Sequence, residues 1–171
     1  MLKKLSKIGV VEGERPLLTK RKTLLNHISL LFMFLVSIKL VGEIIVNDWL
    51  GVTIAFLILV LFFIALVFNF YQKSVLAKVY ITALIILNIT ALNLLFGSGF
   101  GAEFGFFPLI MMIIMLYDTT KVKIAWYAIA AICYLTVKIY LNNHVPLMVD
   151  RLSDSAFYFM FVGSVVAVSL M

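Results

Sequence analysis

Six nearly unbroken apolar blocks run through this chain, most of them about the length of a bilayer crossing, with short polar connections between them. A helix of about 20 apolar residues rises about 30 Å, the thickness of the hydrocarbon core. The blocks fall at 27–46, 50–70, 77–96, 104–117, 123–141 and 155–171. They predict an all-α fold: a polytopic integral membrane bundle of six transmembrane helices. Composition excludes the soluble alternative. Apolar residues make up 64% of the chain and charged ones 13%, whereas a soluble surface needs roughly a quarter of residues charged. Six crossings leave no room for a soluble catalytic domain.

The distribution of charge predicts orientation. One set of connections comprises the N-terminus, the 71–78 turn and the 117–123 turn. It carries eleven Lys or Arg, namely Lys3, Lys4, Lys7, Arg15, Lys20, Arg21, Lys22, Lys73, Lys78, Lys121 and Lys123. The opposite set, 47–49, 97–103 and 142–154, carries only Arg151. Positive charge is retained on the cytoplasmic side, so the expectation is a multi-pass membrane protein with both termini cytoplasmic; a bacterial inner membrane is what the resemblance given below implies. The same argument removes nucleic acid as the partner implied by the net charge of +6; the bilayer is the partner. The final block ends at Met171 with no polar tail, which predicts the front piece of a longer protein.

Residues 1–26 read as a basic lead-in distinct from the membrane domain at 27–171. Leu2, Leu5, Ile8 and Val11 recur at helical spacing with Lys3, Lys4 and Lys7 between them. That predicts a short amphipathic helix on the inner leaflet, touching anionic headgroups, and broken between Gly9 and Pro16. No cleavable signal peptide precedes the first apolar block.

The densest local pattern is Gly97-Ser-Gly-Phe-Gly-Ala-Glu-Phe-Gly-Phe-Phe-Pro108. Its glycines permit tight turns and Pro108 suits a first helical turn. Two readings follow. One is a small-molecule or lipid pocket with Glu103 as its polar group and Phe100, Phe104, Phe106 and Phe107 as walls. The other is a glycine turn beneath an interfacial aromatic belt. On the fifth block, Tyr127, Ala131, Tyr134 and Lys138 form one stripe at steps of four, three and four. It either lines a ligand site, through Tyr127 and Tyr134, or packs helices.

Charge inside the apolar blocks is costly and is a functional candidate by default. Lys39 and Glu43 are one turn apart near the outer end of the first block and can pair; Lys39 and Lys138 can equally reach out to headgroups. Asn88 and Asn93 do not share a helix face, and each is expected to bond a neighbouring helix. Gly163 and Ala167 form a small-xxx-small pair on the last block, a candidate contact for a homodimer.

No catalytic constellation can be assembled. His27 and His144 are assigned to opposite faces, so no metal site follows, and no phosphate loop or nucleophile motif occurs. No cofactor is implied. Cys133 stands alone in mid-block, as a small packing residue.

Three features carry a family resemblance: Lys7-Ile-Gly9 in the lead-in, Lys20-Arg-Lys22 followed by Asn26, and the glycine-acid-aromatic region from Asn93 to Phe107. With these the chain resembles the six-span N-terminal membrane region of bacterial signalling proteins, which precedes a sensor histidine kinase core or a class III adenylate/guanylate cyclase domain. The resemblance implies an input and anchoring domain of a signal-transduction protein, dimeric, whose last helix continues into a cytoplasmic stalk. The enzymatic activity would belong to that missing output domain. The competing reading is a complete small transporter or channel.

Overall fold

The computed structural model describes residues 7–11, 13–97 and 105–144. Among these the regular structure is helical: α1 (Pro16–Ile45), α2 (Trp49–Phe70), α3 (Ser74–Phe96), α4 (Phe106–Leu116) and α5 (Thr120–Asn143). Four of the five, α1, α2, α3 and α5, are long and apolar enough to cross a membrane.

Three of the expected blocks, 50–70, 77–96 and 123–141, become α2, α3 and α5 with ends shifted by three residues or fewer. Two differ more. α1 begins at Pro16, well before residue 27, because hydropathy marks where a helix meets lipid and not where its hydrogen bonding starts. Pro16 occupies the first helical position, where a missing N–H costs nothing and the fixed φ suits the helix. The carbonyl of Arg15 accepts from the N–H groups of Leu18 and Thr19 at 2.9 and 3.1 Å, which closes the first turn. The helix then runs through Lys20, Arg21 and Lys22 without interruption.

The expected fourth span is corrected. α4 holds 11 residues, a rise of about 16 Å, roughly half of a hydrocarbon core. The described residues therefore supply four full-length apolar helices and one short one, and the fourth block does not make a full crossing. The expected sixth span, 155–171, lies outside the described residues, as do residues 1–6 of the lead-in helix. Residues 7–9 form a turn, and residues 10 and 11 have no regular structure.

Two tight turns bracket α2, and both have the same hydrogen-bond pattern. At its start, Asn47 adopts φ +56; its N–H bonds the Ile44 carbonyl at 3.2 Å and the Asp48 N–H bonds the Glu43 carbonyl at 3.0 Å. At its end, Gln72 adopts φ +61; its N–H bonds the Asn69 carbonyl at 3.1 Å and the Lys73 N–H bonds the Phe68 carbonyl at 3.0 Å. These are left-handed terminators that satisfy the last carbonyls of α1 and α2. Asp48 also caps the start of α2, accepting from the Gly51 N–H at 3.2 Å. Asp48→Ala is expected to lower stability by about 1 kcal/mol, read as a lower midpoint of thermal unfolding in detergent by circular dichroism.

The chain forms two compact units, Met1–Leu84 and Ile85–Met171. In the first, α1 and α2 pack along Leu25, Ile28, Phe62, Ala65 and Leu66, all buried. The rings of Phe32 and Phe62 stack with centroids 4.8 Å apart. In the second, Leu109, Met112, Ile113 and Leu116 of α4 are buried, with Ala130 and Val137 of α5. Outward faces stay apolar: Phe34, Phe56, Ile132 and Ile139 are each more than half exposed. Only 11% of the most apolar window of α5 is buried. An apolar exterior of this extent suits lipid, where it displaces no water.

Candidate functional site

The deepest concentration of polar groups among the described residues lies where the part of the lead-in that precedes α1 (residues 7–11 and 13–15, from here on the lead-in) crosses the paired ends of α1 and α2. On α1, Lys22, Asn26 and Ser29 fall at steps of four and three and so share one face; all three are buried. On α2, Asn69 is fully buried in the last turn, opposite Asn26. The left-handed turn at Gln72 then aims that side chain back at α1. The lead-in lies against this surface through its main chain.

The ammonium of Lys22 has three protons and finds three acceptors. They are the Gly9 carbonyl at 2.8 Å, Gln72 Oε1 at 2.7 Å and the carboxylate of Glu14, with which it forms an ion pair. Lys22 is only 2% exposed. A charge so removed from water persists only when paired and fully hydrogen-bonded. The amide of Gln72 works in both directions: its oxygen accepts from Lys22 while its nitrogen donates to the Gly9 carbonyl at 2.9 Å.

One turn deeper the two asparagines complete the arrangement. Asn69 Nδ2 donates to Asn26 Oδ1 at 2.7 Å, with longer contacts to the carbonyls of Lys22 at 3.3 Å and Ile8 at 3.4 Å. Asn26 Nδ2 donates to the same Ile8 carbonyl at 2.9 Å. Gly9 takes φ +73, and a Cβ there would lie 2.1 Å from the Asn69 carbonyl oxygen. Glycine is required twice over, by its backbone angle and by the approach of α2. Two buried acceptors, Glu14 Oε2 and Asn69 Oδ1, have no partner among the described residues.

The residues singled out from sequence are distributed differently. Glu103, Phe104, Gly163 and Ala167 lie outside the described residues. Phe106 and Phe107 leave α4 about 100° apart, and the structure separates them: Phe106 is buried at 8% exposure, Phe107 exposed at 67%. Phe106 meets Tyr134 edge to face, with centroids 5.5 Å apart. The ammonium of Lys138 lies 5.7 Å from the Tyr134 ring centre, within cation–π range. Tyr127 is partly exposed, and Ala131 is exposed. The stripe thus flanks the buried Ala130 and Val137 of α5, with Tyr134 as its contact to α4.

Lys39 and Glu43 do approach each other, at 3.7 Å. The Glu43 carboxylate also lies against Gly51 in the first turn of α2, where helix N–H groups favour negative charge. Asn93 departs from expectation: its amide donates to the Ile89 carbonyl of its own helix at 2.8 Å, a local bond open to any short amide side chain one turn on. Its Oδ1 is buried with no partner among the described residues. Asn88 is only partly buried. No group of three His, Cys, Asp or Glu side chains suited to a metal occurs among the described residues.

Glu14, Asn69 and Gln72 escaped the sequence reading, which treated Lys22 as a topology signal. A usable signal was present. Asn69 is the only Asn, Gln or charged residue between Trp49 and Tyr71, and it lies at the end nearest the basic turn, the depth at which Asn26 enters α1. Comparison with family models, curated proteins and solved structures returns no match for this chain, so the knot of Lys22, Asn26, Asn69 and Gln72 is interpreted from its own geometry.

Proposed function

We propose that this chain is the membrane input and anchoring domain of a bacterial signal-transduction protein, passing a signal through its last helix to a cytoplasmic histidine kinase or nucleotide cyclase. The observation that carries the reading is the knot. It joins a polar segment outside the apolar helices to the first helix pair through buried, directional bonds, as a relay requires. A transporter needs a polar way across. Along α1 and α2 the buried polar groups Lys22, Asn26, Ser29 and Asn69 gather at one end, and beyond them Phe62 and Ala55 are closed off. The basic residues of the N-terminus and of the 71–78 and 117–123 turns would put the knot on the cytoplasmic side, and six crossings of the inner membrane, with α4 as part of the fourth and 155–171 as the last, would return the C-terminal end to the same side. Gly163 and Ala167 would serve a homodimer. Glu103, Phe104, Phe106 and Phe107 would receive a small-molecule or lipid signal at the other face.

The coding sequence beyond Met171 tests this. An open frame leading into a charged coiled-coil helix and a kinase or cyclase domain is the expected result. A stop codon directly after Met171 would overturn the reading in favour of a small transporter or channel.

A further inference from the structure

We propose that Lys22 is a two-way contact at the membrane rim: its ammonium is held either by the lead-in or by the phosphate group of an anionic lipid headgroup, so that lead-in docking responds to membrane surface charge. This rests on the membrane placement proposed above, and not on the kind of output domain.

Three observations carry it. First, depth. Lys22 closes the run Lys20-Arg21-Lys22 immediately before the apolar part of α1, and it bonds Gln72 in the turn after α2. Both connections mark the edge of the apolar helices, where headgroups lie, and a lysine's four methylenes let its charge shift toward them. Second, the acceptors. Of the three that hold the ammonium, the Gly9 carbonyl and the Glu14 carboxylate belong to the lead-in, and only Gln72 Oε1 belongs to the helices. When the lead-in departs, Lys22 keeps one acceptor and must find others. Phosphate oxygens offer the same charge-assisted bonds as the carboxylate they replace. Third, the grip. The lead-in is held by two main-chain carbonyls and one carboxylate, while its apolar Val11 is 50% exposed. Asn26 and Gln72 grip only its main chain, so Lys22 is the one residue that holds it by charge among these contacts. Lys3, Lys4 and Lys7 would draw the freed segment toward the same anionic surface.

The test is trypsin cleavage of the Lys7–Ile8 bond in the whole chain reconstituted into vesicles, read as the appearance of an Ile8 N-terminus. Rates are divided by those of the Gly9→Ala chain in the same vesicles, which removes any effect of lipid on the protease; Glu14→Gln serves as reference if Gly9→Ala fails to insert. Replacing part of the phosphatidylcholine with phosphatidylglycerol should raise the corrected rate roughly fivefold or more, the lower end of ordinary ligand coupling. Inorganic phosphate added to phosphatidylcholine vesicles should leave it unchanged; an equal rise there would assign the competing phosphate to solution and overturn the lipid source. Equal rates in all three conditions would overturn the competition while leaving the membrane reading intact. A chain that inserts into none of the vesicles would overturn both.

Discussion

Lys22→Ala should be the most destabilising single change in the first helix pair, by about 3–5 kcal/mol, the range for breaking a buried ion pair from one side. The loss comes less from the missing lysine than from what it leaves. The Glu14 carboxylate, 18% exposed with one oxygen shielded from water, is left with its charge uncompensated, and Gln72 Oε1 loses the donor at 2.7 Å. Thermal unfolding in detergent measures it, with Lys22→Met plus Glu14→Leu as the control. That pair removes both charges and should recover a large part of the loss, because an apolar pair of similar size costs little in place of a buried ion pair. A cost below about 1 kcal/mol for Lys22→Ala, the ordinary worth of an exposed pair, would show that water reaches the knot.

Gly9→Ala should come second, at roughly 3 kcal/mol, the upper end of the ordinary range for one substitution. Two penalties coincide. An L-residue at φ +73 is strained by about 1 kcal/mol, and the new methyl would lie 2.1 Å from the Asn69 carbonyl oxygen. That oxygen cannot retreat without giving up the Gln72 N–H that terminates α2. The lead-in must lift instead, so the variant should show fast cleavage at Lys7–Ile8. Because Lys22→Ala and Gly9→Ala undo one docking event, their costs should fall short of additivity when combined. Full additivity would mean that the two residues act in separate structures.

The membrane character of the fold was legible because one physical quantity, apolar content per crossing length, dominates it. α2, α3 and α5 contain long uninterrupted apolar runs between polar turns, and their ends follow. The same quantity failed at both ends of its range. It says nothing of where α1 begins, because the helix starts at Pro16 and runs through Lys20 to Lys22 before the apolar block. It also admitted α4 as a span although 11 residues reach only about halfway across. The knot was illegible for another reason. Its bonds join residues as far apart as Gly9 and Gln72, and all but one of its acceptors, the Glu14 carboxylate, are main-chain or amide oxygens that no composition count distinguishes. Lys7-Ile-Gly9, Lys22 and Asn26 stood out in the sequence as a pattern. That Gly9 needs its missing side chain because α2 passes there follows only from the packing.

The paired terminators around α2 restrict how this first unit can move. Each connection, 46–48 and 71–73, is three residues long and closed by two backbone bonds. A helix that advances along its axis by one residue travels about 1.5 Å, and α2 has no slack at either end to supply it. Piston motion would break a terminator. Tilting that leaves both connections closed breaks neither, so the connections of α2 favour a pivoting movement over a sliding one.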